Sequence, residues 1–461
     1  MKKIFNLVMA IFMLAGMSLL SCADDESRPS LAGDATVIIN LGLPPEYETV
    51  NASIIDRVLR FFTRDAVAAP APAAFGNISI RVTGNGIGSI AKDFPSTGVI
   101  SMTVPGGGPR TFEVTAIIAP GDPSAIFSFY GSTIANVPSG GTVNIPILMS
   151  LNETKLLVPD RRNNRLVLLD NLSLAGWNTT ITTSELGAIT GGFYPHDIDY
   201  DSRGRIYIAN WVSSGTDIIR MDDLNGSNLR QFDINFAGVF NLTNVIGVAI
   251  DRSRDILYCI SSTELFKVPL ASIENNNMVG VVRLDNPSDA ISSNLYGIDV
   301  DEDGFPYIVN GLTGNWRITK YNPDLSTAGI MYQLAFPSLN WGYDIKIEKP
   351  YIYVLNSSGA ADYQVLKYHI DYESPPTATY SLVDHFGTNT TTANLADGMF
   401  YGPRKFVGIR NDGLFIIDNK ETVTCLCKMI RLGTLPSLGS GWSAFGAHGG
   451  GAGQFRFYSN C

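Results

Sequence analysis

One pattern recurs along the C-terminal part of this 461-residue chain, and it constrains the fold more than any other feature. Pro195-His196-Asp197-Ile198-Asp199-Tyr200-Asp201 leads through Gly204 to Ile206-Tyr207-Ile208-Ala209-Asn210. Ile246-Gly247-Val248-Ala249-Ile250-Asp251 leads to Leu257-Tyr258-Cys259-Ile260-Ser261. Tyr296-Gly297-Ile298-Asp299-Val300-Asp301 leads through Gly304 to Tyr307-Ile308-Val309-Asn310. Trp341-Gly342-Tyr343-Asp344-Ile345-Lys346 leads to Tyr351-Ile352-Tyr353-Val354-Leu355-Asn356. Pro403-Arg404-Lys405-Phe406-Val407 leads through Gly413 to Phe415-Ile416-Ile417-Asp418. Each segment reads as strand, tight turn, strand, and a third strand often follows, as at Ile218–Asp222 and Arg317–Tyr321. Self-similar units of this kind cannot bury an apolar face alone, so they must stack on one another.

The segments resemble the NHL repeat, whose unit runs Pro-x-Gly-Ile-Ala-Val-Asp, then a glycine turn, then a strand ending in Ala-Asp. The resemblance covers residues 154–461 and implies a β-propeller. A sixth unit is split. Lys155–Asp160 and Arg165–Asp170 look like second and third strands without a first, and Gly451-Ala452-Gly453-Gln454-Phe455 resembles the lead-in of another repeat. The expectation is ring closure, with Phe455 to Tyr458 supplying the inner strand of the first blade and hiding sheet edges that would invite aggregation.

Upstream, residues 35–151 carry alternating segments between turn signals. They are Ala35–Leu41, Ile78–Val82, Ile100–Val104 with the Gly106-Gly107-Gly108 turn, Thr111–Ala116, Phe127–Tyr130 and Thr142–Ile147. A β-sandwich of immunoglobulin-like or transthyretin-like pattern is expected there. Ile54, Ile55, Val58, Leu59 and Phe62 follow helical spacing and give a helical insertion near 51–63, followed by an Ala- and Pro-rich linker. That helix either docks a partner or packs on its own sandwich. The expected fold class is therefore all-β: an N-terminal β-sandwich at 35–151, then a six-bladed β-propeller at 152–461 closed by the C-terminal strand.

The first residues fix the compartment. Lys2 and Lys3 precede an apolar run from Ile4 to Leu20, which ends in Leu19-Leu20-Ser21-Cys22. This is the pattern of a signal peptide over 1–21 and resembles the lipobox of bacterial lipoproteins, in which Cys22 is lipidated. The alternative is an uncleaved single-span anchor. A polar tether follows at 22–34, and the residue after Cys22 is Ala23 rather than Asp, which points to the outer membrane, with surface exposure as a further possibility. Charged residues are only 16% of the chain and no basic cluster stands out, so nucleic acid is excluded as a partner. Cys259 reads as a small buried hydrophobe; an oxidising compartment permits a disulfide from Cys461 to Cys425 or Cys427.

In propellers of this type the inner strands start at one face of the ring, around the channel. The resemblance places His196, Ile246, Tyr296, Trp341 and Arg404 at those starts, and Arg161, Trp211, Ser262, Gly311, Ser357 and Asn419 in loops at the same face. His196, Trp211, Tyr296, Trp341 and Arg404 are the candidate ligand-binding residues; the bland alternative is that they only plug and rim the channel. Asp199, Asp299 and Asp344 read as one position in three repeats, serving either a cation or hydrogen bonds between blades. Asp299-x-Asp301-x-Asp303-Gly304 mimics the start of a calcium loop, but Asn310 stands at its twelfth position and Asp303-Gly304 suits a hairpin turn.

Related propellers include lactonases, lyases and hydrolases that use channel metals. Of His196, His369, His385 and His448 only His196 sits at the mouth, so a multi-His zinc site is not supported. No Gly-x-Ser-x-Gly elbow occurs, and Gly84-x-Gly86-x-Gly88 reads as a loop rather than a nucleotide fingerprint. No catalytic residue and no cofactor is assigned, calcium being the one ion the carboxylates would suit. The preferred reading is a non-catalytic binding or scaffolding lipoprotein for a protein or glycan ligand; the other is a metal-dependent, lactonase- or lyase-like enzyme.

Overall fold

The computed structural model describes residues 33–42, 78–94, 100–117, 127–153, 155–170, 176–201, 204–234, 244–284, 294–312, 315–325, 330–335, 342–357, 363–374, 377–389, 399–400, 402–410, 413–420, 426–433, 442–448 and 450–457. The signal peptide, Cys22, the helix near 51–63, Trp341, Cys425, Tyr458 and Cys461 lie outside the described residues.

The N-terminal residues form two sheets. Ser101–Pro105, Asp34–Gly42 and Thr142–Leu148 make a three-stranded sheet in that order. Ile87–Phe94, Ile78–Gly84, Gly108–Ile117, Phe127–Val137 and Ser150–Glu153 make a five-stranded one. Alternation puts Val37, Ile39 and Leu41 of the first sheet and Ile80, Val82, Phe112 and Val114 of the second into one shared core. Each such buried side chain contributes about 1.5–3 kcal/mol relative to exposure. The glycines at 84, 86 and 88 belong to the hairpin that joins Ile78–Gly84 to Ile87–Phe94. The second strand of that hairpin escapes sequence reading because nearly all its positions are exposed or half-exposed.

From Leu156 onward the chain forms successive antiparallel meanders. Leu156–Asp160, Arg165–Leu169 and Trp177–Ile181 make a three-stranded sheet among the described residues. Five four-stranded sheets follow, starting at Pro195–Tyr200, Gly247–Asp251, Leu295–Val300, Gly342–Glu348 and Pro403–Arg410. These first strands lie against one another in chain order. Leu156–Asp160 touches both Pro195–Tyr200 and Pro403–Arg410.

The pleat explains why the second strands read as unbroken apolar runs. Along Ile206–Asn210, Ile206 and Ile208 pack with Leu157, Leu166 and Leu168 of the preceding sheet. Tyr207 and Ala209 pack with Val248, Leu257 and Cys259 of the following one. Both faces are covered, so every residue of that strand is buried. Meanders stacked face to face in this way form a β-propeller. Some outermost strands are short and partly exposed, as at Arg230–Phe232 and Val282–Leu284, and leave little apolar signature in the sequence.

The described residues do not show the expected closing strand in the first sheet. Phe455 does not pair with Leu156–Asp160 but forms a short parallel bridge to His448. The segment nonetheless docks on the first sheet. Arg456 N donates to Asp160 Oδ1 at 2.7 Å, and Arg162 N donates to the Arg456 carbonyl at 2.9 Å. Arg165 donates to the carbonyls of Gly450 and Gln454 at 2.7 and 2.6 Å. Phe455 and Phe457 are fully buried among Val158, Leu169, Ile417 and Met429.

Candidate functional site

A β-bulge builds the site. In four sheets the ladder between first and second strands loses register at one residue: His196, Tyr296, Tyr343 and Arg404 each stand as the extra residue. A bulge bends the strand and re-aims the side chain of the inserted residue. All four of these side chains line one cavity of about 470 Å³, together with Arg161, Ile246, Ser262, Asn294, Leu295 and Lys405. The volume lies in the range of small-molecule sites.

The same register corrects two sequence assignments. Gly342 pairs with Asn356 as Leu295 pairs with Asn310, so Tyr343 rather than Trp341 occupies the mouth position of its repeat. By the same count Asp344 is equivalent to Asp197 and Lys405, while Lys346 is equivalent to Asp199 and Asp299. Asp199, Asp299 and Asp344 therefore do not share one position. The cause is a slip of two residues, which returns every side chain to the same face and so leaves the alternation unchanged.

The walls of the cavity are cationic and aromatic. Arg404 lies over the ring of Tyr343 at 4.3 Å. Tyr343 meets Tyr296 edge-on at 5.8 Å, and Tyr296 rests against Trp316 at 5.0 Å. Arg161 lies over Trp211 at 4.4 Å, so Trp211 backs the arginine and does not itself line the cavity. His196 Nδ1 is 2.8 Å from the Ile246 carbonyl. That carbonyl accepts a proton, which assigns the N–H of the neutral ring to Nδ1. Burial, and then the charges of Arg161 and Lys405, hold His196 well below the ordinary histidine range. Among the described residues the lining contains three cationic side chains and no carboxylate.

Lys405 joins the cavity to the channel beneath. Its Nζ lies 2.7 Å from Asp197 Oδ2 and 3.3 Å from Asp344 Oδ1. Each channel carboxylate also accepts a backbone amide of the next sheet. Asp197 takes Val248 N at 3.0 Å, Asp199 takes Ile250 N at 2.7 Å, Asp299 takes Ile347 N at 2.7 Å, and Asp344 takes Phe406 N at 2.7 Å. Burial raises Asp197 and Asp299 above the usual carboxylate range and pushes Asp344 up to about 7. Lys346 lies 3.1 Å from Asp299. Burial works against its charge, but Asp299, Asp199, Asp197 and Asp344 outweigh that and hold it above the ordinary lysine range.

The calcium-like run is a hairpin turn. Asp301 Oδ1 accepts the amides of Asp303 at 3.1 Å and Phe305 at 2.9 Å, and its Oδ2 is 3.1 Å from Lys349. Asp303 pairs with Lys349, while Asp299 turns to Lys346 and Ile347. Asp301 and Asp303 thus share Lys349, while Asp299 faces away to its own partners. Among the described residues no group of three or more His, Cys, Asp or Glu is placed to hold a metal ion.

Lys405 and Tyr343 were not singled out from sequence. The available signal for Lys405 was a lysine in a buried first strand, where other repeats have Asp or Gly.

No protein-family model matches the chain, and no curated protein matches it. Solved structures do. The β-propeller domain of Cps50 (Swd1) from Myceliophteria thermophila is 11% identical, with 61% of this chain and 84% of that one covered at a TM-score of 0.38. Regucalcin, a calcium-binding protein from Agrobacterium tumefaciens, is 13% identical over 60% of this chain and 86% of that one, at 0.31. A quinonprotein alcohol dehydrogenase-like protein from Bacteroides thetaiotaomicron is 10% identical over 78% and 87%, at 0.33. At such scores these likenesses carry no weight for function, and the strand register remains the basis for the fold.

Proposed function

We propose that this chain is an envelope lipoprotein, anchored through a lipid on Cys22 and sited at the outer membrane, which binds a protein or glycan ligand without catalysing a reaction. In this reading residues 35–151 form a β-sandwich and residues 152–461 a six-bladed propeller of NHL type. Closure is supported by an equivalence of hydrogen bonds. Asp160 accepts Arg456 N as Asp418 accepts Gly402 N, 2.6 Å away, and Asn210 accepts Tyr194 N, 2.7 Å away. Gly402 and Tyr194 each precede a first strand, so Arg456 precedes the inner strand of the first blade.

The observation that carries the binding role is the use of bulges. Four sheets independently turn a bulge side chain into one cavity of about 470 Å³. Ligand sites of this form are concave, with a few convergent polar groups. The carboxylates that a metal-dependent enzyme would call on are engaged by amides and lysines, which favours binding over a lactonase- or lyase-like role.

The test is a glycan and peptide array probed with wild type and with Tyr296→Ala. A bound probe whose affinity falls about tenfold or more in the variant supports the reading. Binding that ignores the mouth overturns it. Elemental analysis with and without EDTA addresses the enzymatic alternative. Stoichiometric metal whose removal also lowers the melting temperature moves the assignment to a metal site.

A further inference from the structure

We infer that the mouth cavity recognises a carboxylate-bearing sugar, a uronic-acid type unit of an acidic glycan. This rests on the preceding reading that the cavity binds a ligand, and it names the ligand's chemistry.

Charge is the first argument. The chain carries a net charge of −10, yet among the described residues the cavity lining has Arg161, Arg404 and Lys405 and no Asp or Glu. Lys405 is neutralised from below by Asp197 and Asp344. Arg404 is different: among the described residues it makes no ion pair with a carboxylate, and its guanidinium lies over the Tyr343 ring and hydrogen-bonds to that tyrosine. A guanidinium has five N–H donors, so one bond to Tyr343 still leaves donors that can meet a carboxylate with two parallel bonds. Arg161, mostly buried, likewise lies over Trp211.

The rest of the lining selects among anions. Tyr296 and Tyr343 give the cavity an aromatic wall. The C–H bonds of a sugar ring carry slight positive charge and pack against the electron-rich face or rim of such rings. Ser262, Asn294 and His196 surround the same space and suit several hydroxyls. A free phosphate is better served by backbone amides at a long helix start, and among the described residues the lining meets only the single 3-10 turn that begins at Arg161. A peptide C-terminus brings one carboxylate but few hydroxyls for the polar rim.

The experiment is titration calorimetry on the full chain in detergent, with trigalacturonate, neutral galactotriose, and a short peptide with a free C-terminus as probes. Trigalacturonate should bind. Galactotriose and the peptide should bind at least about tenfold more weakly, since each lacks either the charge or the hydroxyls. Raising NaCl from about 0.05 to 0.5 M should weaken uronide binding. Arg404→Gln should weaken it about tenfold or more, with Arg404→Lys recovering only part, because a lysine offers no fork. Arg404 is half-exposed and removes no core packing, so its melting temperature should match wild type. The comparison of acidic with neutral probe on wild type decides the question even if a variant folds poorly.

Equal affinity for galactotriose, or uronide binding indifferent to both salt and Arg404→Gln, overturns the inference. If such a probe still depends on Tyr296, the cavity remains a ligand site and only the carboxylate assignment fails. Peptide binding with no uronide binding overturns it as well. Silence of all three probes overturns it too and leaves the array to judge the wider reading.

Discussion

Lys405 shows how much one side chain carries in this molecule. It is 4% exposed and is the shared cation of two buried carboxylates from different sheets. Removing one partner of a buried charge cluster leaves the others uncompensated, at a cost of about 3–5 kcal/mol. Lys405→Met should therefore lower stability in urea by that order, whereas equal midpoints would mean that Asp197 and Asp344 are neutral without it. Asp217 supplies a pH test. It is almost fully buried, accepts Ile234 N at 2.8 Å, and is pushed up to about 7 by burial and the neighbouring charge of Asp233. The folded form thus holds a proton that the unfolded chain releases near pH 4. Its contribution is complete below about pH 4, falls as pH rises toward 7, and is flat above. Asp217→Asn should consequently gain on wild type by on the order of 3 kcal/mol between pH 4 and 7.5, read by denaturant melts at the two values. A constant difference would mean that Asp217 ionises normally.

Elements extend the same logic. Hairpins between first and second strands close on a recurring aspartate. Asp201 pairs with Arg205 and takes its amide at 2.9 Å; Asp251 takes the amides of Ser253 and Arg254 at 3.0 and 3.1 Å. Gly304 occupies such a turn at φ +83°, and a Cβ there would lie 1.7 Å from Arg254 Nη1 and 2.1 Å from Asp251 Oδ2. Both the backbone conformation and the space require glycine. Gly304→Ala should cost about 1–3 kcal/mol and loosen the Arg254 contact with the Asp303 carbonyl, measurable as a lower melting temperature. A variant as stable as wild type would show that the turn rearranges freely. The strands themselves were legible because alternation and turn residues are local. The bulges were not, since an inserted residue depends on the hydrogen-bonded partner strand. His196, Tyr296 and Arg404 were found because they flank the repeated lead-in; Tyr343 was displaced by the Trp341-Gly342 look-alike two residues away.

Across the whole molecule, the first sheet and the chain's end depend on each other. Arg165 and Asp160 bind the segment 450–457, and Phe455 and Phe457 fill the core between Leu156–Asp160 and Gly413–Lys420. Deleting residues 452–461 should abolish the cooperative melt of the propeller, because it exposes that core and removes the Arg456 amide from Asp160 and the Gln454 carbonyl from Arg165. A truncated chain that melts like the full one would refute closure by this segment. The all-β class and the repeating hairpins were readable directly from the chain, because two-residue alternation and turn chemistry act between near neighbours. Tyr343 at the mouth was not, nor was the particular amide of the next sheet that each of Asp197, Asp199, Asp299 and Asp344 meets. Those depend on register between strands distant in sequence, and a shift of two residues preserves every local pattern while changing which side chain meets the cavity.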